Sequence, residues 1–326
     1  DTFIGRIAAF VNSKYTNKGD KVPMGGIGFF DCIDDQQAAN QLFDTASDWL
    51  EKQGMQGMDG PINFGERDKF WGLLIEGFEE PLYGMNYNPP YYRDLFEGYG
   101  FQLYYEQLCF HLELAQETAQ LSDKFYKAHA KYADNPDFKV ANITKKHLKQ
   151  AATDFSIIYN KAWAGHGGNK TISAEKAYKI FLSLKPVMND YLGWLTYYKE
   201  EPIALFVNMP DLNQIFKYLD GQLNWWSKLK FAYLRYKGVC TRMVGIVYGI
   251  VPEFQGSGVD YFMIVEAEKG IKKHTGFRTL ELQWIGAFNP KMVGIARNLD
   301  GVVSRKLATF RKFFDASVPF EPHPRL

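Results

Sequence analysis

The chain has 326 residues, 46% of them hydrophobic, with 26 Phe, 20 Tyr and 7 Trp. That is enough apolar material for a real core and excludes a disordered chain. Its 38 basic and 37 acidic residues leave a net charge of +1, which gives no reason to expect a nucleic-acid binder, since such a chain usually carries a basic stripe.

Cys32, Cys109 and Cys240 are widely separated and form no CxxC pair, so they read as buried thiols in a reducing compartment. Residues 1 to 10 lack the basic start and long apolar run of a signal peptide. No window reaches the ~18 apolar residues that a spanning helix needs. The expectation is a cytoplasmic protein with neither membrane nor nucleic acid as partner. The chain opens as a strand already under way, so the natural protein is expected to extend upstream of Asp1.

In chain order, residues 3 to 11 and 26 to 31 read as strands rich in Ile, Val and Phe. Ala39, Leu42, Phe43, Ala46, Trp49 and Leu50 recur at helical spacing and predict a helix over 36 to 52. Met58 to Asn63 and Trp71 to Gly77 are shorter strand-like pieces. The stretch Pro81 to Tyr92, with Asn88-Pro89-Pro90 and repeated tyrosines, is either a packed connecting loop or a pocket wall. A strand is expected near Tyr104, and the polar stretch around Pro136 reads as a linker.

Thr144 is expected to cap a helix over 145 to 160, and Ser173 a second whose inner face is Ala177, Ile180, Phe181 and Leu184. Residues 194 to 198 and 202 to 207 read as a hairpin turning at Lys199-Glu200-Glu201. A short helix follows over 212 to 219. Residues 228 to 236 alternate basic and apolar side chains and read as a strand or helix with one solvated face. The rest is more regular: strand 241 to 251, helix 259 to 272, strand 278 to 285, a proline-opened helix 290 to 298, strand 304 to 310 and an irregular tail.

The chemistry is concentrated after the strand that begins at Met243. It runs into Gln255-Gly256-Ser257-Gly258, which opens a helix at Val259. Successive N–H groups at a helix start can hold a phosphate, and glycines allow its close approach. The stretch is no nucleotide P-loop, because no Gly-Lys-Ser/Thr follows. No HExxH or paired spacing appears among the six histidines, so no metal is expected.

Residues 144 to 316 resemble the GNAT superfamily of acyl-CoA N-acyltransferases. The helix pair, the hairpin, the strand–turn–helix around Gln255, a strand ending near Trp284 and a helix led by Asn289 carry the likeness. In that family the turn binds CoA pyrophosphate through backbone amides. Gln255, Gly258 and Asp260 fall at the first, fourth and sixth positions of its motif, and Asp260 replaces the usual small residue. The first half is similar to a worn copy of the same fold. It has acids at Asp31, Asp34 and Asp35 where a glycine turn would stand, so it is not expected to hold CoA. Gly60-Pro61-Ile62-Asn63-Phe64 and Leu74-Ile75-Glu76-Gly77-Phe78 give the whole chain a likeness to a largely uncharacterised bacterial family of this kind.

The resemblance implies an α/β (α+β mixed-sheet) protein of two GNAT-like domains. The first, 1–137, is degenerate and carries the aromatic connecting segment; the second, 138–326, is complete. It implies an N-acyltransferase that moves an acyl group, acetyl in the first instance, from acetyl-CoA or another acyl-CoA to a small-molecule or peptide amine by direct attack. A non-catalytic acyl-CoA-binding or scaffold protein is the alternative.

Val247, Tyr248, Gly249, Gln255, Gly256, Ser257, Gly258, Val259 and Asn289 would line the CoA site. Glu281, inside an apolar strand, is the first candidate base, or else the ion-pair partner of Arg278 or Lys291. Asp154 interrupts an apolar helix face, and it either meets the amine or makes a structural bond. Tyr248 is a cleft residue or plain core. Tyr87, Tyr91 and His166 are candidate substrate contacts. The tyrosine that commonly ends the last family helix is replaced by Arg297-Asn298-Leu299-Asp300, so the group that protonates the leaving thiolate is unassigned.

Overall fold

The computed structural model describes residues 3–65, 71–114, 121–163 and 171–326. His166 lies outside them.

Two contact-dense units are present. The first takes Asp1–Phe110, Trp284–Ile295 and Val303–Leu326. Here β1 (Gly5–Phe10) pairs antiparallel with β2 (Met24–Cys32), and β2 pairs parallel with β3 (Gly57–Gly60). The crossover between β2 and β3 is α1 (Gln36–Lys52), at the expected bounds. Asp35 caps α1 by accepting from the N–H groups of Gln37 and Ala38. Ala39, Phe43, Ala46 and Leu50 form its buried stripe. Phe43 stacks on Phe30 with ring centroids 5.0 Å apart and meets Phe96 and Phe101 edge-on. Truncating such a side chain to Ala removes about 3–5 kcal/mol.

Three further elements belong to the same part of the sequence: β4 (Leu73–Glu76), α2 (Tyr92–Gly98) and β5 (Gln102–Glu113). The aromatic stretch therefore ends in a helix. The Cys32 N–H donates to the Tyr92 hydroxyl at 3.0 Å.

The second unit takes His111–Gln283 and Ala296–Val302. In order come α3 (Asp123–Ala130), β6 (Phe138–Asn142), α4 (Leu148–Trp163), α5 (Ala174–Leu184), β7 (Gly193–Tyr198), β8 (Glu201–Pro210), α6 (Asn213–Phe216) and α7 (Trp225–Tyr236). Then follow β9 (Arg242–Ile250), α8 (Val259–His274) and β10 (Thr279–Gly286); α9 (Pro290–Asn298) divides between the two units, and β11 (Val302–Phe313) belongs to the first from Val303 on. The β7–β8 hairpin turns at Lys199 and Glu200, both at positive φ (47° and 65°), as a two-residue turn matched to strand twist requires.

The expectation of two GNAT-like domains is overturned. The described strands form one mixed eleven-stranded sheet in the order β1-β2-β3-β11-β5-β10-β9-β8-β7-β6, with β4 also on β11. The physical reason lies in the short β3 and β4. Each is four residues long, and their edges are completed by the C-terminal strand, with Phe310 opposite Gly60 and Leu307 opposite Leu74. A hydrogen-bonding edge is covered by whichever strand reaches it, and here that strand comes from the far end of the sequence.

Smaller differences follow from local packing. Thr144 does not cap α4, which begins at Leu148. Ser173 does cap α5, accepting from the Lys176 N–H, but Ile180 points outward at 41% exposure. Helix α3 and strand β6 went unmarked because their apolar residues are few and irregularly spaced.

Candidate active site

Strands β9 and β10 run parallel, with Thr279 opposite Arg242, Leu280 opposite Met243, Glu281 opposite Val244 and Leu282 opposite Gly245. The register stops at that pair, although β9 continues on β8 through Val247, Tyr248 and Gly249 to Ile250. Val244 is fully buried, whereas Ile246 is 45% exposed. The ladder between the two strands therefore ends one residue past Glu281.

Glu281 is buried and its Oε1 lies 2.9 Å from His111 Nδ1. His111 Nε2 lies 3.0 Å from Glu113 Oε1. The histidine is a partner that the weighing of Arg278 and Lys291 from sequence had not included. Burial alone would lower the proton affinity of the His111 ring, but the hydrogen bonds and charges of Glu113 and Glu281 outweigh it and raise the pKa above the usual 6.5. The three side chains form a line from a buried carboxylate to Glu113, whose side chain is 45% exposed. His111 was missed in the sequence, yet a signal existed. In the strand His111-Leu112-Glu113, alternation places the histidine and the glutamate on one face.

After β9 the chain makes a single turn of 3₁₀ helix at Pro252–Phe254 and passes through Gln255 to the start of α8. Gly256 (φ 75°) and Gly258 (φ 89°) are both in the left-handed region, which explains glycine at these two places. The Gln255 amide donates to Ile250 O at 3.2 Å, turning its side chain back onto the strand end. Ser257 Oγ donates to Phe254 O and accepts from the Val259 N–H, while Tyr132 donates to Ser257 O at 2.8 Å. The turn is thus held from behind, with the start of the sixteen-residue α8 beneath it.

Asp260 also occupies this helix start. Its carboxyl accepts from the Tyr248 hydroxyl at 3.2 Å and from the N–H groups of Tyr261 and Asp260 itself. Burial raises its pKa against those hydrogen bonds. The Tyr248 hydroxyl is pushed well up, first by burial and then by Asp260, so it is protonated at neutral pH. The N–H groups of Gln255, Ser257 and Val259 already donate within the turn, to Pro252 O, Phe254 O and Ser257 Oγ, and Asp260 adds a carboxylate at the same helix start.

Other candidates sit in bonded settings. Asp154 is 4% exposed and accepts from Tyr197 at 2.8 Å and Gln150 at 2.9 Å. Asn289 Oδ1 accepts from the Met292 N–H at the start of α9. In the first unit, the Tyr91 hydroxyl donates to Cys32 O at 2.8 Å, and Tyr87 is 49% exposed with its ring edge-on to Phe78. Gly249 is packed by the Trp163 ring, which a Cβ would meet at 2.5 Å.

The second unit also has a small apolar hollow of about 40 Å³, lined by Phe181, Leu184, Met188, Val207 and Met209 with Asn208 among them. Asn208 is 5% exposed; its amide donates to Leu192 O, and its Oδ1 is buried without a hydrogen-bond partner. Among the described residues no group of three or more His, Cys, Asp or Glu is placed to hold a metal ion.

Over 315 residues the chain is 24% identical to a bacterial ceramide synthase of Caulobacter vibrioides, covering 95% of this chain and 80% of that protein. It is 25% identical over 317 residues to protein YghO of Escherichia coli, covering 95% and 79%. The structure of a GCN5-related N-acetyltransferase from Sphaerobacter thermophilus matches with a TM-score of 0.50 at 10% identity, over 96% of this chain and 78% of that one. No family model matches. The chain has the GNAT fold.

Proposed function

We propose that the protein is an acyl-CoA-dependent N-acyltransferase in which an amine attacks the thioester directly. The observation that carries this reading is the β9/β10 ladder ending at Leu282 and Gly245, with the buried Glu281 beside its end. An acyl thioester bound along β9 would present its carbonyl near that carboxylate.

An amine acceptor arrives as an ammonium and must lose a proton to become nucleophilic. Glu281, with His111 and Glu113 behind it, offers a path for that proton from a buried carboxylate to an exposed one. As the carbon–nitrogen bond forms, the carbon–sulfur bond breaks and CoA leaves as its thiolate. A β9 backbone N–H would polarise the carbonyl. Gly256 and Gly258 would bring the turn's backbone up to the CoA phosphates, and Gln255, Ser257 and Val259 complete that loop. Tyr248, protonated and close to the same helix start, is the nearest group on β9 able to return a proton to sulfur.

The name of the Caulobacter relative supports a long-chain acyl donor and a long-chain amino alcohol as acceptor, since a ceramide is the amide of those two. The apolar lining of the small hollow in the second unit is in keeping with contact to part of an alkyl chain, and the partnerless Asn208 Oδ1 could accept from an N–H or O–H.

The test is calorimetric binding of acetyl-CoA and of a long-chain acyl-CoA, followed by release of free CoA in the presence of long-chain amino alcohols. Saturable binding that Gly258→Glu abolishes, with thiol release dependent on the amine, is the expected result. Absence of binding by both thioesters would overturn the reading.

A further inference from the structure

Helix α7 presents its aromatic residues to solvent. Trp225 is 76% exposed, Trp226 80%, Leu229 55%, Tyr233 58% and Tyr236 88%. At 3.6 residues per turn these positions fall on one face. Ser227 is buried on the other side, where Phe231 meets Phe216 at 5.9 Å. Large aromatic side chains on the outer face of a helix are contrary to the usual amphipathic arrangement, and such a patch marks an interaction surface.

The charged residues of α7 itself and of the stretch that follows it are of one sign. Between Gly221 and Pro252 the sequence has Lys228, Lys230, Arg235, Lys237 and Arg242 and no acidic residue. Lys228 lies over the Trp225 ring at 5.8 Å and Lys237 over Tyr233 at 5.8 Å, so ammonium groups border the aromatic strip. Arg235 is turned the other way, and its guanidinium donates to Pro186 O and, at 3.0 Å, to Met188 O. Met188 also lines the apolar hollow. One arginine therefore ties the exposed helix to the rim of a cavity of hydrocarbon character.

We propose that α7 is an interfacial docking helix that seats this unit on an anionic lipid bilayer. Tryptophan and tyrosine favour the headgroup boundary, and flanking lysines favour acidic lipids. An anionic membrane fits both the uniform charge and the aromatic strip, and it supplies hydrocarbon to the neighbouring hollow. A face meant for a second copy of this near-neutral chain would not need acids excluded over so long a stretch. Docking at a surface is distinct from spanning: among the described residues no helix is long and apolar enough to cross a membrane. The proposal stands apart from the acyltransferase reading, because the aromatic strip and the basic residues of α7 carry it without the catalytic residues or the hollow.

The experiment is flotation of the purified protein with vesicles of phosphatidylcholine and with vesicles that also contain phosphatidylglycerol. The protein should float with the anionic vesicles, less so as salt is raised, and stay behind with the neutral ones. Trp225→Ser with Trp226→Ser should abolish flotation. Lys228→Gln with Lys230→Gln should weaken it about thirtyfold, as loss of two basic side chains at an anionic surface implies. All four residues are exposed, so circular dichroism and melting temperature should be unchanged. Failure of the wild-type protein to float with anionic vesicles overturns the proposal, as does flotation of both double variants equal to that of the wild type. A dimer in sedimentation velocity that the tryptophan variant dissociates would assign the face to a second copy and overturn it too.

Discussion

Glu281 on β10 and His111 on β5 lie 2.9 Å apart, and the far nitrogen of the same imidazole lies 3.0 Å from Glu113. A ring between two carboxylates binds its proton tightly, and the buried carboxylate gains a partner that balances its charge. In this arrangement the side chain of Glu281, 2% exposed, has the His111 ring as a hydrogen-bond partner. A buried base with a path to solvent is what proton removal from an attacking amine requires.

Replacing Glu281 by Gln keeps the shape of the side chain and removes its basicity. Thiol release at saturating thioester and amine should fall by about 10²–10⁴-fold, the usual contribution of a positioned base. Thioester affinity by calorimetry should change little. A comparable loss of affinity and turnover would instead make Glu281 a structural residue.

The pH dependence of stability follows from His111. In the unfolded chain its imidazole titrates near 6.5, and in the folded chain the value is higher. Its charged form therefore contributes stability that is fully present below about 6.5 and is lost as pH rises through the folded value. The melting temperature of wild type should exceed that of His111→Gln at pH 6, and the gap should close at pH 9. A gap that widens with pH would contradict the direction of the shift.

Asp260 makes a sharper test of the turn. Its carboxylate takes up the N–H groups of Asp260 and Tyr261 at the start of α8, the helix start that the proposed function gives to the CoA phosphates. Asp260→Asn keeps a hydrogen-bonding side chain beside Tyr248 and removes the charge. If CoA phosphates use the turn, the variant should bind acyl-CoA more tightly, by a factor that shrinks with added salt. Unchanged affinity at low salt would put the phosphates elsewhere.

In the first unit, Arg311 forks onto Asp59 with two contacts of 2.7 Å and reaches Asp20 at 2.8 Å, while its guanidinium lies 3.6 Å above the Tyr104 ring. Both Arg311 and Asp59 are buried. Arg311→Met would strand the Asp59 carboxylate with only Tyr15 and Asn17 as partners, and should cost about 3–5 kcal/mol in denaturant unfolding. Adding Asp59→Leu should recover part of the loss; additive losses would show that the charge pair is not the source.

The parts of this fold legible in the sequence are those in which one periodicity rules a long stretch. Helix α1 shows its apolar stripe plainly, and the strand–turn–helix at Gln255 carries glycines that only a positive φ explains. Strand β11 shows why the rest was hidden. Its residues read as an ordinary last strand, and nothing local in Phe310 or Leu307 reveals that their partners are Gly60 and Leu74. Pairing over such a separation is set by which edges remain open, which no window of sequence contains. The site was half legible for a similar reason. An acid within an apolar strand drew attention to Glu281, but His111 lies 170 positions away. Helix α7 was left open between strand and helix, since its aromatic residues lie on the side usually given to water.

Gly270 gives the last prediction, because two effects of opposite sign meet there. It lies within α8, where replacing glycine by alanine ordinarily stabilises a helix by about 1 kcal/mol. A Cβ at this position would approach Cζ2 of the Trp194 ring at 2.5 Å, well inside contact distance. Trp194 is 6% exposed and its indole N–H donates to Tyr191 O at 2.9 Å, so the ring has little room to yield. Overpacking of this kind costs about 1–3 kcal/mol. Gly270→Ala should therefore leave the chain no more stable than wild type and up to about 2 kcal/mol less stable, as the difference of those two figures gives. In the background of Trp194→Phe, whose smaller ring vacates the colliding edge, the same substitution should become stabilising. Chemical denaturation of the four proteins measures the coupling directly, and a stabilising Gly270→Ala in the wild-type background would show that the helix and the ring are not pressed together.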